Sequence, residues 1–272
     1  MYAEESAAAD PEKVAALVDS AEKRFAAQYP YSFLSGIPSK LSVSRLYPDV
    51  LSPEDGVADL EEEEEEEDSR DGPMPVPSFM TGSLPVTGRE RGVATHGFLQ
   101  FADFARLGTC RTEDEIARLT ENGFISERDA GLVSVPDVEK FKKSPLFRRI
   151  AGARRVWREF RFNVLLPAEK FTSDPERAAK FAAEDVKITV QGVFDCVFED
   201  ADGKLVVADY KTDYMSREDR ADPGAWVAKL RERHALQLRY YREAATLLFG
   251  REPDEVLIYA LALGDTVDMK DA

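Results

Sequence analysis

Two aspartates and a lysine in the second half of the chain carry the chemistry most open to reading. Segment 186–198 (VKITVQGVFDCVF) and segment Leu205–Lys211 both have strand character, and the polar stretch Glu199–Lys204 joins them. Alternation places Val193, Asp195 and Val197 on one face of the first strand, with Phe194, Cys196 and Phe198 on the other. In the next strand Val207, Asp209 and Lys211 share a face, opposite Val206, Ala208 and Tyr210. A hairpin symmetric about Asp202 sets Asp195 across from Asp209, with Cβ atoms roughly 4.5–5.5 Å apart. Lys211 follows two residues along the same face. Adjacent carboxylates repel each other, and charge on a half-buried sheet is costly. A hard divalent cation resolves both problems, because such ions take one or two carboxylates plus waters and phosphate oxygens. An ammonium beside it can orient or deprotonate a water and offset charge on a pentavalent phosphate. The triplet thus has the parts for metal-assisted phosphodiester hydrolysis. The alternative is a solvated Asp209–Lys211 pair on an exposed edge hairpin.

Other elements must hold that hairpin in place. Helical spacing runs over residues 10–28, with Val14, Leu17, Val18, Ala21 and Phe25 on one face. Pro38–Leu46 (PSKLSVSRL) reads as a short strand or arm. Helices are expected at Arg91–Arg106, Glu113–Asn122, Glu127–Leu132 and Pro136–Lys143, and a strand at residues 157–166 (WREFRFNVLL). Pro223–Phe249 forms a long amphipathic helix, and Val256–Leu263 a closing strand. Helices before and after a small mixed sheet make an α/β or α+β core, α/β being the class expected.

Charge sorts by position. The 272 residues carry a formal −16, which taken whole argues against a nucleic-acid binder. Yet Glu54–Asp71 holds twelve acidic residues and one Arg, leaving −5 for the other 254 positions. With its prolines, the stretch 52–88 is expected to be a disordered insertion. Asp137–Arg161 carries nine Lys/Arg against three Asp/Glu. Its cations, Lys142, Lys143, Arg154 and Arg155 among them, suit phosphate contact. For Phe141, Phe147, Trp157 and Phe160, interleaved with them, core packing is favoured over base stacking. No transmembrane run, signal peptide or paired cysteine spacing is present, since Cys110 and Cys196 lie far apart. A cytoplasmic setting without membrane partners is expected. The DADG at 200–203 lacks the remaining ligands of a calcium loop.

Gly92…His96, Gly192-Val-Phe-Asp195, Asp209-Tyr-Lys211-Thr-Asp213 and Gln237…Tyr241 resemble, in order and spacing, the nuclease domain of the AddA/RecB helicase–nucleases. That domain belongs to the PD-(D/E)XK superfamily, whose core is a restriction-endonuclease-like mixed sheet flanked by helices. The arm PSKLSVSRL and the strand WREFRFN (157–163) are similar to segments of the same proteins. The resemblance implies that Asp195, Asp209 and the backbone carbonyl of Tyr210 ligate Mg²⁺ or Mn²⁺. It implies Lys211 as the catalytic lysine, His96 as a histidine of the metal site, and Gln237 and Tyr241 as contacts to the DNA strand near the cut. Glu159 matches an acidic position of open role, and His234 is expected at the surface. The family's Gly-Thr reads Gly92-Val93 here, which alters a turn contact and no ligand.

The implied function is a metal-dependent exonuclease acting on unwound single-stranded DNA, without sequence preference, in double-strand-break repair. The implied partners are the helicase portion of a longer polypeptide and an AddB-like subunit. No G-x-x-x-x-G-K-[ST] loop is present, so ATP hydrolysis of the P-loop kind is not expected of this chain, which reads as an excised domain with a stand-alone relative as the alternative. The alternative is a non-catalytic DNA-binding module on the same scaffold. The expected organisation is a helical segment 1–34, an arm 35–51, the insertion 52–88, a nuclease domain 89–265 and a tail 266–272.

Overall fold

A computed structural model of the chain describes residues 11–26, 32–34, 37–46, 50–51 and 87–270. The disorder expected of the acidic stretch falls on residues outside these, except 87–88. Helix α1 is Pro11–Ala26, and strand β1 is Lys40–Ser42, followed by a 3₁₀ turn Val43–Arg45. A helical layer follows: α2 Gly88–Phe101, α3 Phe104–Leu107, α4 Thr112–Glu121, α5 Glu127–Leu132, α6 Val135–Lys143 and α7 Pro145–Ala151. Then come β2 Arg155–Pro167, α8 Pro175–Ala183, β3 Lys187–Glu199 and β4 Leu205–Lys211. The chain closes with α9 Arg217–Ala221, α10 Pro223–Phe249, β5 Glu255–Ala260 and β6 Asp265–Asp268.

The sheet is mixed, in the order β1-β3-β4-β5-β6, with β2 on the other edge of β3. The β2–β3, β3–β4 and β5–β6 pairs are antiparallel, while β1–β3 and β4–β5 are parallel. A parallel neighbour requires a crossover, and α10 supplies it between β4 and β5. Asp222 caps α10 by accepting from the Ala225 amide, Pro223 occupies its first turn, and Gly250 ends it at φ 68°. Every residue of β4 from Leu205 to Tyr210 is buried, as expected of a strand covered on both faces. One core lies under α10, α8 and the β1 arm; the other lies under α2–α7.

Three expectations need correcting. The single helix expected at Arg91–Arg106 is two, because the Asp103 side chain accepts from the Arg106 amide and starts a new helix. The start also moves back to Gly88, where Thr87 and Glu90 form a reciprocal cap. The boundary at 265 cuts into β6, and Val267 and Met269, expected in a tail, are buried. The arm likewise belongs to the core, since Leu41, Val43 and Leu51 are buried in it. Among the described residues no helix is long and apolar enough to cross a membrane.

A buried carboxylate ties the helical layer together. Glu115 accepts from the Asp103 amide at 2.8 Å and from Arg118 Nε at 2.9 Å, with Arg106 Nε at 3.3 Å. Burial opposes its charge, but Arg118, the amide and Arg106 outweigh that and lower its pKa. Glu115→Ala leaves these donors unmet and is expected to cost about 3 kcal/mol. Chemical denaturation, read as a lowered midpoint at unchanged slope, checks this.

Candidate active site

The β3–β4 hairpin pairs Cys196 with Ala208 through to Glu199 with Leu205. That register is symmetric about Asp202, so Asp195 and Asp209 occupy the next rung. The ladder stops there. β4 runs on beside β5 as far as Lys211–Ala260, while the same edge of β3 is next taken by β1, with Ser42 beside Gln191. In the gap between them the Tyr210 amide donates to Asp195 Oδ2 at 2.7 Å. Lys211's carbonyl accepts from Leu261 on the β5 side, so Tyr210's carbonyl points the other way, into the gap. One expectation fails in β3: Phe194 packs with Val197 under α10, while Cys196 and Phe198 enter the opposite core. Regular alternation slips at Asp195. Across from it on β2 sits Glu159 at φ 47°, between the pairs Arg158–Cys196 and Phe160–Phe194. A left-handed residue inside a strand reverses the side on which its neighbours fall, and both strands change face at this rung.

Helix α2 closes the gap from one side. A Cβ on Gly92 would lie 2.8 Å from Thr212 Oγ1, so only glycine allows the helix this close to the end of β4. One turn on, His96 Nδ1 sits 3.4 Å from Asp195 Oδ1, with its ring edge-on to Tyr210. His96 is therefore a mid-helix residue. Burial disfavours its charge, but the neighbouring Asp195 outweighs that and raises its pKa. Ligand atoms of His96, Glu159 and Asp195 all lie within 4.8 Å of one another.

Asp209 is 1% exposed on the doubly buried strand. Its Oδ2 is 2.8 Å from Lys211 Nζ yet makes no hydrogen bond of acceptable angle. Burial pushes its pKa up to about 6, Lys211 pulling it down and Asp195 adding to the rise. A buried carboxylate with an orphaned oxygen, across the rung from another carboxylate and near an imidazole, suits a divalent cation. Lys211 Nζ also donates to Gln237 Oε1 at 3.0 Å; Gln237 Nε2 donates to Tyr241 Oη at 3.1 Å, and Tyr241 Oη to the Val193 carbonyl at 2.6 Å.

Residues 84–266 match the model of the PD-(D/E)XK nuclease superfamily. The chain belongs to that superfamily. It is also similar to an AddA-type ATP-dependent helicase/nuclease of Clostridium botulinum (strain Langeland), 29% identical over 247 residues. The helicase/nuclease of the same type from Acetivibrio thermocellus is 29% identical over 253 residues. These alignments cover 90% and 92% of this chain but only 18% of either relative's length.

Around this candidate site the placement of the remaining candidates is uneven. Gln237 and Tyr241 reach it, but their polar atoms are spent on Lys211 and the β3 backbone. His234, expected at the surface, is 15% exposed with Nε2 3.2 Å from Asp213 Oδ2. The four candidate cations of the basic segment do not converge on the site, although Arg161 lies near enough to Glu159 to act on its charge. Lys142 Nζ is held by the Cys110 carbonyl and Glu139, both at 2.8 Å, which overturns it as a free phosphate contact. Arg154 and Arg155 are exposed at the hairpin-turn end of β2, four rungs from Asp195, and Lys143 is exposed at the end of α6. Phe141 and Phe147 are buried, as favoured, and Trp157 and Phe160 pack against Phe249.

Two cavities meet at His96 and Asp195. One, of about 500 Å³, runs along Gly92, Val93, Gly97 and Gln100 of α2 and reaches Glu159. The other, of about 200 Å³, holds Asp209, Lys211, Gln237, Ser42 and Ser44. The motif match gives Glu159 no role; its register opposite Asp195 is the signal that could have found it. Burial and the charge of Asp195 raise its pKa. Glu159→Gln is expected to raise the melting temperature of the metal-free protein by about 1–3 °C. If the carboxylate serves the metal site, the same change slows metal-dependent turnover about tenfold. Calorimetry in chelator and a turnover assay read the two effects separately.

Proposed function

We propose that this chain is the nuclease domain of an AddA-type helicase–nuclease, a metal-dependent exonuclease that hydrolyses phosphodiester bonds of unwound single-stranded DNA. The observation that carries the reading is the orphaned, doubly buried Asp209 beside Asp195, with a lysine fixed between Asp209 and Gln237. Asp195, Asp209, His96 and the Tyr210 carbonyl would hold Mg²⁺ or Mn²⁺, with Glu159 within reach. Such an ion, when bound, lowers the pKa of a water and polarises a phosphoryl oxygen. Gln237 takes one proton of the Lys211 ammonium and Asp209 holds it as an ion pair, leaving a proton for a water or phosphate oxygen in the cavity. The Tyr210 amide orients Asp195, and the imidazole of His96 packs beside it. Exposed Lys143, Arg154 and Arg155 are the cations of the basic segment placed to meet phosphates outside the site. The helicase that would feed the strand is assigned to the part of the relatives that this chain does not span, and an AddB-like subunit would be a separate partner chain.

Incubating the purified chain with labelled single-stranded and duplex DNA across Mg²⁺, Mn²⁺ and chelator tests the reading. Cleavage of the single strand from an end, abolished by chelator, is expected. DNA retention with no cleavage under any ion favours the non-catalytic alternative.

A further inference from the structure

We infer that Ser42 and Ser44 form a phosphate subsite on the substrate strand, holding a phosphodiester next to the one that is cut. This inference rests on the nuclease reading above. The sequence KLSVS alternates strictly, and the fold uses that alternation. Leu41 and Val43 enter the core, while Ser42 and Ser44 turn to the smaller cavity. Parallel pairing with β3 ends at Ser42–Gln191, so the serines stand beside Gly192 and Val193, where β3 leaves its edge open to β4.

Among the described residues neither hydroxyl has a backbone partner. Ser42 occupies the capping position of the 3₁₀ turn yet makes no capping hydrogen bond, and its Oγ instead lies 2.9 Å from Ser44 Oγ. A hydroxyl pair of this kind offers one further donor, with acceptor capacity left over. The same cavity holds Lys211. A cation and two neutral hydroxyls suit the non-bridging oxygens of a phosphodiester, and they do so without reference to any base. Asp195 and Asp209 on the same wall would repel a lone anion, so the occupant is a phosphate that arrives with the metal-neutralised site. A strand lying across Ser42, Lys211 and Asp195 continues along Gly92, Gly97 and Gln100, where the larger cavity begins. The arm therefore does more than add a strand to the sheet: it supplies one bank of the channel.

Steady-state cleavage of oligo-dT and oligo-dA by the parent and by Ser42→Ala/Ser44→Ala tests this. Thermal melts and fluorescence anisotropy of labelled oligo-dT run beside it, the latter with Ca²⁺ in place of Mg²⁺ to suppress turnover while a divalent ion is still supplied. KM and Kd are expected to rise about tenfold, equally on both oligomers, with kcat within about twofold. The salt slope of binding stays unchanged, because neutral hydroxyls release no counterions. Ser42→Thr/Ser44→Thr, which keeps both hydroxyls, restores most of the affinity. Unchanged KM and Kd overturn the subsite, and so does a lower kcat with a lower melting temperature at constant KM. If the parent cuts nothing under any ion, the nuclease reading falls instead. Anisotropy of the parent against the double variant then decides the subsite, and equal affinity overturns it.

Discussion

Asp209→Asn is expected to lower divalent-ion-dependent cleavage by at least about a thousandfold and to change how the metal-free protein responds to pH. Both effects follow from placing a carboxyl on a strand covered on both faces. Burial raises the Asp209 pKa from 3.8 to about 6, even though Lys211 opposes the rise. A group whose pKa is higher folded than unfolded stabilises the fold fully below 3.8, and that contribution is lost as pH rises through about 6. In chelator the parent should therefore gain about 1 kcal/mol more than the variant between pH 7.5 and pH 5.0. His96 and Glu159, also raised, act in the same direction, so only the difference between the two proteins isolates Asp209. Added Mg²⁺ should raise the melting temperature of the parent by mass action and leave the variant unmoved. An Asn variant that cuts at the parental rate removes Asp209 from the metal site. Equal pH responses remove the burial argument.

Much of this site was legible because it is local. The turn Glu199–Lys204 is short and polar, so symmetry about Asp202 sets the whole register, and the pairs Cys196–Ala208 through Glu199–Leu205 follow from it. Helix α10 was readable end to end because Pro223 and Gly250 mark its boundaries with backbone chemistry. What was not legible depends on partners distant in the chain. The slip at Asp195 comes from a left-handed Glu159 more than thirty residues away, and no periodicity within β3 announces it. The charge of segment 137–161 looked like a patch because net charge ignores pairing. In the fold Arg149 binds Glu255 and Asp200, Arg158 donates to the Leu99 and Ala102 carbonyls, and Lys142 is spent on Cys110 and Glu139. These cations fasten the helical layer to itself and to the sheet. The short helices α7, α8 and α9 went unread because a turn or two gives too little apolar period to count.

Lys211→Gln is expected to lower kcat about a thousandfold, and Gln237→Ala about ten- to a hundredfold; their combination shows whether Gln237 acts through Lys211. The motif match implies that Gln237 and Tyr241 touch DNA, whereas the fold spends their polar atoms inside the protein. The Tyr241 hydroxyl is anchored on the Val193 carbonyl and accepts from Gln237 Nε2, which orients the amide and leaves Oε1 facing the ammonium. Burial disfavours the charge on Lys211, but Asp209 outweighs that and raises its pKa, so the group stays an ammonium. A long side chain held by one hydrogen bond and one ion pair loses little further freedom when substrate arrives. Without Gln237 the ammonium keeps Asp209 alone and can swing off line. If Gln237 works by positioning, Gln237→Ala lowers kcat with KM unchanged, and adding it to Lys211→Gln costs nothing more. If it binds DNA directly, KM rises, and the two losses add in logarithm. The two accounts thus differ in which constant moves and in whether the double variant is slower than Lys211→Gln alone, so one kinetic series separates them.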